Sequence, residues 1–368
     1  MRITTLLLDR FRSHRLLELA FGEAGIEAFV GENGTGKTNL AEAISFLSLG
    51  RSALGGETED VARWGETFFK VRAATVSDAG EERTLEVVCQ LSPRKQKAFF
   101  MNDVRVPFAE FVGALPSVVF LPQDLGLFSG GPDRRRGLMD GLLSQLDPKF
   151  LPLRMEFERL LKQRNALLKR IGEGEAKEGD LDPWDADLAR SGAALQCKRL
   201  TIVSGWNEGF PGHVRSLGET WEDIRIEYVR KTTAMKEEAL AEELAAQLLH
   251  YRSRDCIVGS TTTGPHRDDW RILADGRDIS GFASRGQQRA SLLALLFTCM
   301  DQFRSIKKEQ PVIILDDVFS ELDDRHQHAL LTSLAGCQVF LTATHLPGDI
   351  GAPVHRWQVS AEGVVAGE

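Results

Sequence analysis

Residues Gly31-Glu32-Asn33-Gly34-Thr35-Gly36-Lys37-Thr38 follow the pattern G-x-x-x-x-G-K-S/T, and they fall where that pattern has a physical use. The apolar stretch 26–30 before them reads as a short buried strand, and 39–49 after them carries apolar residues at helical spacing. The glycines therefore sit at a strand-to-helix turn. Such a turn lets backbone N–H groups converge on phosphates, and the helix adds its positive end. Lys37 is placed to reach the terminal phosphates and Thr38 to offer a hydroxyl to Mg²⁺. Asn33, Gly34, Gly36 and Asn39 complete the expected nucleotide contacts.

Around this turn the text changes character twice. Segments 3–8, 16–21, 69–76, 84–91, 97–101 and 118–121 are short apolar runs bounded by turn residues, which predicts strands. From about 135 to 250 the pattern becomes helical. Leu153, Phe157, Leu160, Leu161, Leu168 and Ile171 recur at near-helical intervals, and Leu240, Leu244 and Leu248 form an i, i+4 stripe flanked by glutamates. The polar, Gly-rich stretch 172–180 between them predicts a surface loop. Mixed structure returns after 255, with buried strands predicted over 312–315 and 339–342.

The run Val312-Ile313-Ile314-Leu315 ends in Asp316-Asp317. Four apolar residues followed by an acid are what a phosphate-loop ATPase uses to set a carboxylate opposite magnesium, so Asp316 is the candidate metal partner. Asp317 beside it is the candidate base for the attacking water. A buried strand capped by surface acids would leave the same letters; the phosphate loop decides between the two.

A third string, Ala283-Ser284-Arg285-Gly286-Gln287-Gln288, leads into a Leu-rich helix, with Ser284 and Gly286 at its N-terminus. It resembles the signature of the ABC ATPases, which docks on the γ-phosphate held by the opposite subunit. That resemblance implies that Ser284, Gly286 and Gln287 contact ATP in trans. Gln123 then resembles the Q-loop residue near magnesium and the attacking water, Ser320-Glu321-Leu322-Asp323 the D-loop, and His345 the switch histidine.

Within that class the chain resembles the RecF family of the SMC-like branch. The resemblance is carried by Phe11-Arg12, by Lys162-Gln163-Arg164-Asn165-Ala166-Leu167-Leu168-Lys169, by Gly264-Pro265-His266-Arg267-Asp268-Asp269, and by the string from Leu315 through Asp323. It spans nearly the full length. It implies an α/β fold: an ABC-type P-loop ATPase head with an antiparallel β subdomain and an inserted helical lid domain. The expected division is 1–134 for the N-terminal part of the head, 135–250 for the lid and 251–368 for the C-terminal part. It also implies an ATP- and Mg²⁺-dependent homodimer that binds double-stranded or gapped DNA without sequence preference. Such a dimer would act with RecR and RecO to promote RecA loading, and Arg12 would lie near the nucleotide's α-phosphate or base. Two departures stand out: the signature reads S-R-G-Q-Q where the commoner form is L-S-G-G-Q, and Asp317 replaces the Glu of transporters. The shorter base implies slow hydrolysis, which suits a switch.

Composition narrows the classes. A net charge of −8 argues against indiscriminate polyanion binding, so DNA contact must come from local clusters. The candidates are Arg134, Arg135 and Arg136, and Lys95 and Lys97 beside Arg94; solvated surface charge is the alternative for each. Five dispersed cysteines without a C-x-x-C pair read as reduced thiols. Leu6-Leu7-Leu8 is cut off by Asp9-Arg10 and no apolar run reaches membrane-spanning length, so a cytoplasmic protein without membrane contact is expected. A transporter ATPase subunit shares the phosphate loop, signature and acidic strand, but it would not explain the Gly264 to Asp269 string. A chromosome-organising SMC protein would need far longer heptad arrays than 135–250 allows.

Overall fold

The computed structural model describes residues 1–22, 25–346 and 353–367. Its strands are β1 (Arg2–Phe11), β2 (His14–Ala20), β3 (Ile26–Val30), β4 (Phe68–Val76), β5 (Glu82–Gln90), β6 (Gln96–Met101), β7 (Val104–Val106), β8 (Ser117–Phe120), β9 (Ile224–Val229), β10 (Asp269–Ala274), β11 (Arg277–Asp278), β12 (Val312–Asp316), β13 (Val339–Ala343), β14 (Val354–Ser360) and β15 (Gly363–Ala366). The chain divides into two compact units. One comprises Met1–Gly126, Gly212–Glu219 and Ser284–Glu368; the other comprises Leu127–Pro211 and Thr220–Ala283.

The first unit is the head, built on two sheets. An antiparallel sheet runs β2-β1-β4-β5-β6-β7, and its strand β4 alternates buried and half-buried residues, as a sheet covered on one face must. The second sheet runs β15-β14-β3-β13-β12-β8, and the pairings from β14 through to β8 are parallel. Every residue of β12 and β13 is buried, which explains the apolar runs Val312 to Leu315 and Val339 to Leu341. The helix Lys37–Leu49 packs against strands of both sheets, and every residue from Leu40 to Ser48 is buried. Leu40, Ile44 and Leu47 join Phe69, Val71 and Val87 on one side and Ile314 and Phe340 on the other in a single core. Phe11, Phe46 and Phe69 meet edge to face at its centre, with ring centroids 5.5 to 6.3 Å apart, each such pair contributing about 1 kcal/mol beyond burial. The two serines on the helix are satisfied within the core: Ser45 Oγ donates to Glu42 O and Ser48 Oγ to Leu115 O.

The second unit is mainly helical, with helices Pro132–Leu146, Phe150–Gly172, Asp182–Ser216 (up to Pro211), Glu237–His250 and Arg252–Val258. It also holds a three-stranded antiparallel sheet, β11-β10-β9. This unit extends beyond 135–250 at both ends, because β10 and β11 pair with β9 and Arg135 is bonded to Asp269. Its interior contains a polar network. Arg164 is fully buried; its Nε donates to Asp185 at 2.6 Å, and its Nη1 donates to Asp255 at 2.7 Å and to Thr261 Oγ1 at 2.8 Å. Asn165 Oδ1 accepts from both the N–H and the hydroxyl of Thr261. Arg199 forms a two-pronged pair with Asp140 and also donates to Pro265 O at 2.7 Å. Asp268 accepts from Gln196 and Tyr228, and burial raises its carboxyl despite those bonds. No described helix in either unit is long and apolar enough to cross a membrane.

Candidate nucleotide site

The parallel sheet brings its functional residues to one edge. β3 leads into the phosphate loop, β12 ends at Asp316, and β13 lies between them with Thr342 paired to Asp316. The carboxyl ends of parallel strands are where open α/β sheets hold ligands. Gly36 adopts φ +100 and caps the helix start, and a Cβ there would stand 2.9 Å from Ser13 Oγ. Asn33 and Gly34 are exposed on the outer side of the loop. No acidic residue occupies the first turn of the following helix, so its N–H groups have no internal carboxylate to neutralise them.

Lys37 is buried, and its Nζ donates to Gly31 O and Glu32 O, both at 2.7 Å. Burial lowers its pKa, although Asp317 and Asp316 oppose the shift. An ammonium bonded only to loop carbonyls can be given up to a stronger, anionic acceptor. Thr38 Oγ1 donates to Asp316 at 2.9 Å, and Asp316 also accepts from Thr342 Oγ1 at 2.5 Å. Burial raises the Asp316 carboxyl, the threonine bonds oppose this, and Asp317 adds to it. A hydroxyl next to a buried carboxylate is an oxygen-only donor set of the kind a hard divalent cation prefers, so the residues fit Mg²⁺.

Asp317 follows at φ +46, an uncommon conformation for a residue with a side chain. It is held there because its N–H donates to Thr342 O at 3.1 Å and to Thr342 Oγ1 at 3.0 Å, while its carboxylate accepts from Ser320 Oγ at 3.1 Å. Thr342 therefore serves both acids. The sequence reading had the strand containing Thr342 but not its register against β12, which alone reveals this role.

The remaining predicted residues fall in varied surroundings. Asn39 Nδ2 donates to Ser13 Oγ at 2.9 Å, tying the β1–β2 turn to the helix start. Arg12 directs its donors into the protein: Nε and Nη2 bond the buried Glu42 at 2.7 Å each, and Nη1 bonds Asp60 O at 2.6 Å. The Glu42 bond raises the Arg12 pKa. Gln123 is exposed and its Nε2 donates to Ala53 O at 3.3 Å. His345 is exposed just after β13. Ser284 caps the helix Arg285–Gln302 in a closed box: its Oγ accepts from the Gln287 N–H at 3.2 Å, and Gln287 Oε1 accepts from the Ser284 N–H at 3.0 Å. Ser284, Arg285 and Gly286 are exposed, so this capped end faces solvent.

The basic clusters divide into half-buried and exposed side chains. Arg135 is held by Asp269 through two 2.7 Å bonds and by the carbonyls of Leu127 and Gly130. Arg136 bonds Asp268 O and Asp133. Lys97 donates to Gly50 O and Thr58 Oγ1, lies over the Phe46 ring, and has its pKa lowered by burial. These three side chains are half-buried and bonded to neighbouring groups of the protein. Arg94 and Arg134 are exposed, and Lys95 is exposed beside Glu59.

A phosphate loop after one parallel strand, an acid pair ending a nearby strand, and a capped helix end facing solvent together define an ABC-type ATPase head. Comparison with known proteins narrows the class. The RecF/RecN/SMC N terminal domain family matches residues 2–345. The DNA replication and repair protein RecF of Moorella thermoacetica is 37% identical over 359 residues, covering 96% of this chain and 94% of the relative. That of Heliobacterium modesticaldum is 34% identical over 368 residues, covering 97% and 98%. A solved structure of the recombination mediator protein RecF-ATP in the RecFOR pathway superposes with a TM-score of 0.91 at 29% identity, over 100% of this chain and 97% of that one. Its RecF-ATPrS counterpart gives 0.90 at 28%, over 99% and 98%. An SMC head bound to the C-winged helix domain of ScpA shares the fold alone, with a TM-score of 0.53 at 16% identity. The chain belongs to the RecF family of DNA replication and repair proteins.

Proposed function

We propose that this chain is an ATP-dependent DNA-binding recombination mediator, a switch that closes into a dimer on ATP and reopens after hydrolysis. The observation that carries the reading is the convergence of Lys37, Thr38, Asp316 and Asp317 at one sheet edge, in a head whose Ser284 end is exposed. The ATP form of the similar solved structure supports the choice of nucleotide.

In this mechanism Lys37 exchanges its loop carbonyls for the β- and γ-phosphate oxygens, and the loop N–H groups hold the same phosphates. Thr38 and Asp316 would hold Mg²⁺, with Gln123 near it. When bound, the ion offsets phosphate charge. Asp317 takes a proton from the water that attacks the γ-phosphorus, and the bond from that phosphorus to the ADP oxygen breaks. Gln123 and His345 position the water and the γ-phosphate. The γ-phosphate also bridges subunits: Ser284, Gly286 and Gln287 of a second copy bind it from the opposite side, at a helix N-terminus free of acids. Its loss on hydrolysis removes the bridge. The short reach of Asp317 makes turnover slow, and DNA stimulates it.

The closed dimer binds duplex or gapped DNA through phosphates, with Arg134, Arg135, Arg136, Lys95 and Lys97 as the basic candidates, of which Arg134 and Lys95, with Arg94 beside it, are the exposed ones. It acts with RecR and RecO to help RecA load at gaps. The transporter reading has no observation in its favour. Sedimentation with ATP, ADP or no nucleotide tests the switch. Wild type dimerises with ATP only, and both Lys37→Met and Ser284→Arg stay monomeric; a wild-type dimer indifferent to nucleotide refutes it.

A further inference from the structure

Thr342 belongs to none of the strings that mark the nucleotide site, yet it touches both acids of that site. It lies on β13, is 1% exposed, and stands opposite Asp316 in the parallel pairing with β12. Its Oγ1 donates to Asp316 Oδ1 at 2.5 Å and accepts from the Asp317 N–H at 3.0 Å, and its main-chain O accepts from the same N–H at 3.1 Å. The other residues of β13 are Val339, Phe340, Leu341 and Ala343, so this hydroxyl is the strand's one polar side-chain group.

The direction of the bonds follows from the donor inventory. A backbone N–H can only donate, so Asp317 takes a lone pair of Oγ1, and the single proton of Oγ1 points at the Asp316 carboxylate. Asp316 Oδ1 then receives two donors, Thr342 at 2.5 Å and Thr38 at 2.9 Å, while Oδ2 receives only Thr38, at 3.1 Å. Rotation of the carboxylate about Cβ–Cγ would break the shortest of these contacts. Oδ2 is therefore the oxygen with accepting capacity in reserve. At the next residue the hydroxyl and the carbonyl of Thr342 hold one N–H together, where φ is +46 and a side chain makes the conformation costly.

We infer that Thr342 is a positioning residue for the nucleotide reaction: its hydroxyl sets the rotation of Asp316 so that Oδ2 is offered to the divalent cation, and with its carbonyl it fixes the backbone from which Asp317 acts. Groups that orient a metal ligand in this way act without touching the metal. The inference rests on the reading of Asp316 as the metal partner, and it adds a residue outside the phosphate loop, the acid pair and the signature. Valine has nearly the shape of threonine and lacks the hydroxyl, which makes it the informative replacement.

The test measures ATP affinity of the full chain by titration calorimetry, in EDTA and across a Mg²⁺ series, beside turnover at saturating ATP and Mg²⁺. Thr342→Val should raise about tenfold the Mg²⁺ concentration at which ATP affinity reaches half its Mg²⁺-dependent gain, and lower turnover about tenfold or more, with affinity in EDTA unchanged. Thr342→Ser, which keeps the hydroxyl, should return both quantities close to wild type. Wild-type Mg²⁺ dependence and turnover in Thr342→Val overturn the assignment. So does an equal loss of affinity in EDTA and in Mg²⁺, which would make the threonine a packing group, and so does a Thr342→Ser variant as impaired as Thr342→Val, which would give the role to the methyl. Where Thr342→Val does not fold, Thr342→Ala carries the same expectations; failure of both to fold beside a folded Thr342→Ser makes the hydroxyl structural and also overturns the inference. A wild-type ATP affinity indifferent to Mg²⁺ sinks the metal reading of Asp316 first, and this inference with it.

Discussion

The phosphate loop in the head unit and the string Gly264 to Asp269 in the helical unit are both legible as motifs, yet the molecule uses them in opposite ways. Around the loop, polar groups are exposed or weakly committed. Asn33 and Gly34 face solvent, Lys37 is held only by loop carbonyls, and Asp316 is buried beside hydroxyls with its carboxyl raised. In the second string, Pro265 O accepts from Arg199, His266 Nε2 bonds Thr261 O, Asp268 binds Gln196 and Tyr228, and Asp269 grips Arg135. The helical string Lys162 to Lys169 adds Arg164 and Asn165 to the same kind of interior network. A site keeps bonding capacity in reserve for its ligand, whereas a scaffold uses its capacity internally. Motifs that identify a family can therefore report either one.

That contrast is broken most severely by removing a scaffold charge. Arg164→Ala takes the guanidinium from the fully buried Asp255, which keeps only the Thr262 donors, while Asp185 keeps Arg252; breaking such a buried pair costs about 3–5 kcal/mol. Urea unfolding of the variant should show that loss with nucleotide affinity retained; a loss below about 1 kcal/mol would mean the network is solvated. The converse substitution is Lys37→Met, which should lower ATP turnover about a hundredfold or more with little change in melting temperature. Coupled loss of fold and turnover there would erase the distinction between the units.

His266 sharpens the comparison through pH. Burial pushes its pKa down to about 4, so the folded helical unit holds it neutral while the unfolded chain protonates near 6.5. Between those values the unfolded state binds the extra proton, so stability falls as pH falls. The expected loss is about 2–3 kcal/mol from pH 6.5 to 4, complete below the folded value. His266→Asn should flatten the slope relative to wild type in denaturation curves at stepped pH; an identical slope would place the acid sensitivity elsewhere. The smallest effect is expected at Ser284→Ala, which removes a solvent-facing cap for about 1 kcal/mol of stability, read as a small shift in thermal melting. A shift of several kcal/mol would make that serine structural.

Much of the head could be read from the amino acids, because its elements carry local signals. The all-buried strands β12 and β13 declare themselves by the apolar runs Val312 to Leu315 and Val339 to Leu341, and β4 and β5 by alternation. The helical unit was less legible. Ile224 to Val229 alternates correctly for a strand but lies in a stretch dominated by helical spacing, and its partner β10 is remote in sequence. The 35-residue helix Asp182–Ser216 contains glycines and Pro211, which interrupt the periodicity that reveals a helix. At the site, Lys37, Thr38 and Asp316 were readable because spacing along the chain sets their chemistry. Thr342 and the Arg12–Glu42 pair were not, since only strand register and tertiary packing bring those groups together. The bonds of Arg135, Arg136 and Lys97 were hidden for the same reason: a run of charges looks alike whether its partners are solvent or remote acids and carbonyls.

The central claim is that two copies complete each other's sites, and mixing two inactive variants tests it most directly. Lys37→Met retains an intact Ser284 end, and Ser284→Arg retains an intact phosphate loop. In a mixed dimer one composite site is whole. The account predicts that ATP hydrolysis, absent from either variant alone, reappears when the two are combined; a mixture as inactive as its components would contradict it.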